Sequence, residues 1–344
     1  MTNLNPPIRV LVTGGTGAIG PVLVRRLVEK NYQVRVLVRQ PPRQGLLPPA
    51  VELAAGDITD PASLEPAMAG VDRVFHLAAR LHLTDPTEQL LADYEQVNLT
   101  GTGRVVEAAL KAGVGRLVYF SSIAVYGPSD GRTVFTEASL PNPQSLYAQT
   151  KYRAESMVLA ARRSGPAPSL GVVLRVAAVY GAGIKGNYAR LVTALQKHRF
   201  LPVGSGRNRR TLIHEQDVVE AALLAAESPQ AAGQIYNVTD GQTPTFNQII
   251  TAICQAMGHN PPRWHLPEEP LRLLVNLVEQ SCHRLGRPAP IGHHTLDTLL
   301  EDVAVSGDKL QEELGFYPTF DLNTGWAVTL NQLETAGQMR LAQA

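Results

Sequence analysis

Apolar positions along the chain fall into two alternating periods. Residues 8–12, 34–38, 51–53, 73–77, 116–120 and 170–176 form short, near-continuous runs rich in Val, Leu and Ile. Strands of that character are buried on both faces. The stretches between them are turn-rich or carry apolar residues at helical spacing, as in residues 19–29. Strands alternating with helices predict an α/β fold, a Rossmann-type doubly wound parallel sheet. The first run passes at once into T-G-G-T-G-A-I-G and then the helical stretch, which reads as strand, glycine turn and helix. The second run stops before Pro41 and Pro42, as a second parallel strand would.

After about residue 180 the alternation weakens. Gly181, Gly183, Gly186, Pro202, Gly204 and Gly206 punctuate the chain, and helical patterns dominate towards its end. Residues 211–226 and 234–238 read as a return to the sheet. The expected organisation is therefore a nucleotide-binding domain over 1–180 with a return segment at 211–240. A smaller, mainly helical substrate lobe takes 181–210 and 241–344. Residues 271–285 are amphipathic and read as a buried lobe helix, the alternatives being a pocket wall or a helix resting on a membrane.

The 344 residues carry a net charge of +1, with both signs mixed along the chain. That excludes the electrostatic footprint of a nucleic-acid or membrane-surface partner. Cys254 and Cys282 lack metal-type spacing, and His293 and His294 lack nearby carboxylate or thiol ligands, so no metal is expected and the two histidines read as a surface loop. The N-terminus has neither the basic nor the apolar region of a signal peptide, and no run is long enough to cross a membrane. A cytoplasmic protein is expected.

Candidate chemistry begins at the glycine turn. Gly14, Gly17 and Gly20, with Thr16, Ala18 and Ile19 between them, open a helix directly after a strand. Glycine lets the backbone approach a pyrophosphate, and the helix N-terminus offers free N–H groups to the anion. An acidic residue at the end of the second strand would bind the ribose of NAD. Here the strand ends Val38-Arg39, which favours NADP over NAD. Asp60 suits the cap of the helix beginning near Pro61, which leaves Asp57, beside Ile58, for the adenine amino group.

Tyr147 and Lys151 stand four apart and so share one helix face. A free tyrosine has a pKa of about 10 and is a poor acid or base at neutral pH. A close cation lowers it by about one to three units, which is the expected role of Lys151, helped by the positive nicotinamide of an oxidised cofactor. Tyr147 then exchanges a proton with a substrate hydroxyl or carbonyl while hydride moves to or from a nicotinamide. Ser122, in S-S-I-A-V-Y-G after an apolar strand, would hydrogen-bond the same oxygen. In that motif Tyr126 reads as part of a strand-to-loop turn.

With T-G-G-T-G-A-I-G, G-D-I-T-D, F-H-L-A-A, V-N-L-T-G-T, S-S-I-A-V-Y-G, Y-A-Q-T-K and L-R-V-A-A-V-Y-G in place, the chain resembles the extended short-chain dehydrogenase/reductases, the NAD-dependent epimerase/dehydratase family, along nearly its whole length. The resemblance implies that Leu77, Ala78 and Ala79 line the cofactor's path. It places Asn98 beneath the catalytic group, with helix capping as the alternative. H-L-A-A-R-L-H, G-I-K-G-N-Y and G-S-G-R-N-R-R-T-L-I-H are similar to enzymes acting at carbon 4 of UDP-linked hexosamines, above all 4-keto-hexosamine reductases of surface-polysaccharide synthesis. It implies UDP contacts at Asn187 and Arg210, with Arg207 and Arg209 adding positive charge, and a loop-positioning role for His214. Ala178 and the missing acid after Val38 depart from 4-epimerases and favour a net reductase. A homodimer formed through the helices of Asn98 and Tyr147 is also implied. The alternatives are a 3β-hydroxysteroid or sterol dehydrogenase and a non-catalytic cofactor-sensing protein.

Overall fold

The computed structural model describes residues 7–80, 88–162, 169–183, 186–284 and 293–337. In chain order the elements are β1 (Arg9–Thr13), α1 (Gly20–Glu29), β2 (Gln33–Val38), β3 (Glu52–Ala55), α2 (Pro61–Met68), β4 (Arg73–His76) and α3 (Glu88–Tyr94). A π-helical turn (Glu95–Gly101) leads into α4 (Thr102–Lys111), followed by β5 (Arg116–Ser122), α5 (Leu146–Ala160), β6 (Gly171–Val176), β7 (Ala178–Tyr180) and α6 (Asn187–Gln196). Then come β8 (Leu212–His214), α7 (Glu215–Glu227), β9 (Ile235–Val238), α8 (Phe246–Ala256), α9 (Glu268–Arg284), α10 (His293–Leu300), α11 (Asp308–Leu314) and α12 (Leu322–Thr335).

Seven strands form one sheet in the order β3-β2-β1-β4-β5-β6-β9, every pair parallel. The chain moves from β1 outwards on one side, then crosses back to β4 on the other. Such a reversal opens a crevice beyond the carboxyl ends of the two strands. Alternation along β1 shows why the run is apolar throughout. Val10 and Val12 pack with Leu23, Val24 and Val218 on one face, while Leu11 packs with Leu64, Val105 and Leu117 on the other.

Residues 211–226 depart from expectation. Leu212–His214 pairs with Ala178–Tyr180 in a separate two-stranded sheet, and only β9 returns to the main one. The reason is local: β7 leaves the sheet one residue beyond β6, and its exposed edge takes β8 as partner. A third apolar cluster joins α6, α8 and α12 around Tyr180 and Trp326, whose rings stack at 4.7 Å.

Two further expectations are corrected. His293 and His294 begin α10 rather than a loop. Helix α9 is not buried: of its apolar residues Val275 is covered, but Leu273, Leu274 and Leu277 are 65%, 56% and 62% exposed. Helical periodicity reveals that a helix has an apolar side, not that anything covers it.

Trp326 has no exposed surface and anchors α12 to the third cluster. Trp326→Ala is expected to cost ~3–5 kcal/mol by urea unfolding, the range for emptying a buried aromatic site.

Candidate active site

The glycine turn sits where β1 meets α1. Gly14 has φ +73°, and a Cβ there would stand 2.6 Å from the Ala78 nitrogen. A Cβ on Gly20 would stand 2.4 Å from the Gly15 carbonyl carbon. Both positions require glycine. No side chain caps α1, so its first N–H groups stay open to an anion, with Thr16 and Gly17 exposed at the mouth of the turn. This fits a dinucleotide pyrophosphate. Ala18 and Ile19 are half-buried behind it.

The flanking positions divide. Leu77, Ala78 and Ala79 emerge half-buried from β4 beside the turn, and Arg39 is exposed just beyond β2. Asp60 caps α2 by accepting from the Ala62 N–H at 3.1 Å, as the sequence suggests. One oxygen of Asp57 accepts from the Thr59 N–H and hydroxyl, both at 2.8 Å. Ile58 is buried and would meet any side chain added at Gly101 in the π-turn.

Asn98 does not cap its helix. Its Oδ1 accepts from the Arg80 N–H at 2.7 Å, and its Nδ2 donates to the Arg80 carbonyl and the Thr150 hydroxyl. It joins the segment after β4 to α5, and the π-turn aims it there. Asn98 is therefore a positioning residue.

The catalytic candidates converge. Ser122 ends β5 and caps the following turn by accepting from the Ala124 N–H at 3.2 Å. Its hydroxyl also hydrogen-bonds the Tyr147 phenol. Tyr147 lies in the first turn of α5, whose N-cap is Ser145, and half-faces a cleft of about 820 Å³. Lys151, one turn on, is 1% exposed, with Nζ 4.1 Å from the centre of the Tyr119 ring.

The expected charge relation between Tyr147 and Lys151 is not met in the protein alone. Burial, then Tyr94, push the Tyr147 phenol up to about 12 despite the Ser122 hydrogen bond. Burial brings the Lys151 ammonium down to about 7, against the pull of Glu155. Desolvation penalises both charged forms and is the largest cause for each.

Sequence reasoning missed two groups that interact with Lys151 by charge, Glu155 and His76, and a third, Arg175, that pairs with Glu155. Glu155, also 1% exposed, lies one more turn along α5. It accepts from Ser121 at 2.5 Å and from Arg175 at 2.7 Å. Arg175 in turn donates to Tyr126 at 2.9 Å, which donates to Asn237 at 2.8 Å. Tyr126 is thus part of a buried polar chain and more than a turn residue. His76 lies between Thr13 at 2.6 Å and Thr102 at 2.9 Å, and burial, then Lys151, lower its imidazole to about 3. The Tyr147, Lys151, Glu155 spacing offered a signal for Glu155, since all three share a helical face. His76 and Arg175 lie inside apolar strand runs and gave none.

On the substrate side, Asn187 is exposed as the first residue of α6. Arg210 lies 3.5 Å from Glu301, while Arg209 binds Asp302 at 2.7 Å and Arg207 is exposed. Arg209 is thereby spent on the protein's own carboxylate. Glu215 accepts from the Ala182 and Gly183 N–H groups at 2.9 and 3.0 Å, holding that loop against Ala18 of the glycine turn. His214 caps α7 by accepting from the Gln216 N–H. Residues 81–82 of H-L-A-A-R-L-H and 184–185 of G-I-K-G-N-Y lie outside the described residues. Among the described residues there is no group of His, Cys, Asp or Glu suited to a metal ion, and no helix long and apolar enough to cross a membrane.

Comparison with known proteins agrees with this geometry. Residues 10–239 match the NAD dependent epimerase/dehydratase family. The chain is 30% identical to a UDP-glucose 4-epimerase of Vibrio cholerae, over 94% of each chain. It is also 30% identical to a 3 beta-hydroxysteroid dehydrogenase/Delta 5-->4-isomerase of Mycobacterium tuberculosis, covering 91% of this chain and 86% of that one. A solved structure of MoeE5 with UDP-glucuronic acid and NAD superposes with a TM-score of 0.74 at 28% identity, covering 95% of this chain and 99% of that one.

Glu155→Gln removes the carboxylate that favours the Lys151 ammonium and leaves Arg175 buried without its partner. The expected loss of stability is ~3–5 kcal/mol. In kcat/KM, the limb on which Lys151 loses its proton should move to lower pH. Glu155→Gln/Arg175→Gln should recover stability but keep the displaced limb. An undisplaced limb in both variants would make Glu155 purely structural.

Lys151 also carries a stability signature. Between pH of about 7 and the ordinary lysine value of about 10.4, the unfolded chain holds a proton that the folded chain has released. Stability from this group therefore rises with pH across that window. Lys151→Met should abolish turnover yet raise Tm, and the gain should shrink as pH increases, which calorimetry would read.

Proposed function

The chain belongs to the NAD dependent epimerase/dehydratase family and is an NAD(P)-dependent enzyme of the extended short-chain dehydrogenase type; from that premise we propose that it moves hydride at carbon 4 of a UDP-linked sugar, as a 4-keto-hexosamine reductase or related 4-epimerase. The observation that carries this reading is the start of α6. Gly186 leaves that N-terminus without a side-chain cap, Asn187 is exposed on it, and the Arg210 charge reaches the adjacent Tyr188. An open helix N-terminus beside a guanidinium suits a diphosphate.

A nicotinamide cofactor supplies the hydride chemistry when bound. The chain's own residues do the rest. Ser122 and Tyr147 converge on one substrate oxygen, and Tyr147 gives or takes its proton. Lys151 favours the tyrosinate through charge, most strongly where Glu155 keeps it protonated. The exposed Arg39 beyond β2, with Val38 where an acid would bind a ribose, supports NADP over NAD. The helices of residues 181–210 and 241–344 are read as the substrate lobe. A cytoplasmic homodimer paired through the helices of Asn98 and Tyr147 completes the proposal.

One observation favours a second reading, oxidation of a 3β-hydroxysteroid or similar apolar alcohol. The cleft beside Tyr147 is lined by Glu268, Asp297, Glu301 and Asp302 against Arg272, a poor balance for a dianionic ligand.

Thermal-shift binding separates the readings. UDP and UDP-N-acetylglucosamine should stabilise the protein, and Arg210→Ala should weaken them by about tenfold or more, the worth of a lost charged hydrogen bond. Stabilisation by a 3β-hydroxysteroid alone would reverse the order of the readings. For the cofactor, Arg39→Ala should weaken NADP by about tenfold or more and leave NAD little changed in fluorescence titration.

A further inference from the structure

Outside the cleft, exposed apolar residues such as Leu140 and Tyr317 are scattered over the described surface, but six fall on two segments joined to each other, the ribbon of residues 201–204 and 264–266 and the helix α9 that follows it. Leu201 is 45% exposed, Trp264 80% and Leu266 37%. Residues 201–204 and 264–266 run side by side: Leu266 N–H donates to the Pro202 carbonyl at 2.8 Å, and Gly204 N–H to the Leu266 carbonyl at 2.9 Å. Val203 and Leu266 are parallel bridge partners, which places Leu201 level with Trp264. Gly204 lies against Glu268 and Leu300, so this ribbon abuts the first turn of α9. One to two turns along α9, Leu273, Leu274 and Leu277 form an exposed arc.

Three cations rim the apolar surface: Lys197 and Arg199 precede Leu201, Arg263 precedes Trp264, and all three are exposed. Of the nearby acids, Glu268 is bound to Arg272 at 2.9 Å, while Glu269 and Glu279 of α9 stand against the basic side chains. Leucines and a tryptophan inside a cationic rim match the chemistry of an anionic bilayer surface. A second copy of the chain would bring a like-charged rim to the contact.

The opposite side of α9 gives the patch a connection to the cleft. Glu268 and Arg272 line the cavity beside Tyr147, and Arg272 binds Asp297 of α10 at 2.7 Å. The helix that walls the cleft is thus the one that presents leucines outwards.

We propose that this face, the 201–204 and 264–266 ribbon together with the exposed arc of α9, docks the enzyme peripherally on an anionic membrane surface. Trp264 and the leucines enter the headgroup boundary, and the basic rim meets anionic headgroups. The surface stands apart from the UDP-sugar reading.

The test needs no substrate. Full-length protein is sedimented with vesicles of phosphatidylcholine alone and of phosphatidylcholine with phosphatidylglycerol, at low and raised salt. Binding to the anionic vesicles is expected, weakened by salt. Leu273→Gln/Leu277→Gln and Trp264→Ala should each weaken it by about tenfold or more, and Arg199→Gln/Arg263→Gln should lower both affinity and salt sensitivity. Unchanged cofactor-induced thermal shifts would show that the variants are folded. No binding to anionic vesicles, or equal binding by the folded variants, overturns the proposal. So does a shift to smaller particles for the leucine variant in sedimentation velocity without vesicles, which would assign the face to a second copy.

Discussion

An ammonium group enclosed by the fold is the constraint on which the site depends. Lys151 has 1% of its surface exposed, and bare burial would simply strip its proton. The structure offsets this in two ways: a tyrosine ring under Nζ and a carboxylate one turn further along the same helix. That carboxylate, Glu155, is itself buried and needs a counter-charge, which β6 provides as Arg175. Arg175 then requires a further acceptor in Tyr126, and Tyr126 one in Asn237 on β9. A single requirement near the reacting atoms thus runs through α5 and β6 to the far edge of the sheet. It explains charged and polar side chains inside strands that are otherwise apolar.

A second line of support fixes the backbone. The π-turn at Glu95–Gly101 aims Asn98 at the Arg80 backbone and Thr150, so the end of β4 and the catalytic helix share one anchor. On the other side Glu215 takes two N–H groups of the loop after β7 and presses it towards the glycine turn. The separate β7–β8 sheet makes this possible, because it delivers α7 and its first residue to that loop. The glycine turn and Tyr147 are held by different elements but meet at the same edge of the sheet, where parallel strands leave room for a ligand.

The parallel core, the glycine turn and the Tyr-Lys pair were legible because each is a local pattern with a local cause: burial on both faces, close backbone approach, one shared helix face. What stayed hidden depends on contacts remote in sequence. Arg175 lies in L-R-V-A-A-V-Y-G, where nothing nearby announces that its partner is Glu155. The pairing of β8 with β7 follows from a strand leaving the sheet, which no periodicity records. Helix α9 shows the same limit for surfaces. Its pattern marks an apolar side, but whether that side faces the core depends on what packs there, and Leu273, Leu274 and Leu277 face outwards. Electrostatics were the least legible. The expected lowering of Tyr147 by Lys151 and an oxidised nicotinamide took no account of burial, which moves each side chain towards its neutral form.

The internal pairing of the arginine loop carries an argument about selectivity. Arg209 and Arg210 each face a carboxylate, at 2.7 and 3.5 Å. A neutral ligand leaves both pairs intact and meets a cleft whose cations are already satisfied. An anionic ligand must offer more than the carboxylate it displaces, and must tolerate Glu301 and Asp302 nearby. The looser of the two pairs, Arg210–Glu301, is the one that can yield at small cost, because its acid is 32% exposed and regains water on release. Arg209, with an additional backbone bond from its own N–H to Asp302 at 2.7 Å, is held far more firmly. Of two adjacent arginines, then, Arg209 is held more firmly by its carboxylate than Arg210 is by Glu301. The difference between the two pairs, rather than the number of arginines in the sequence, sets how the loop's positive charge is held.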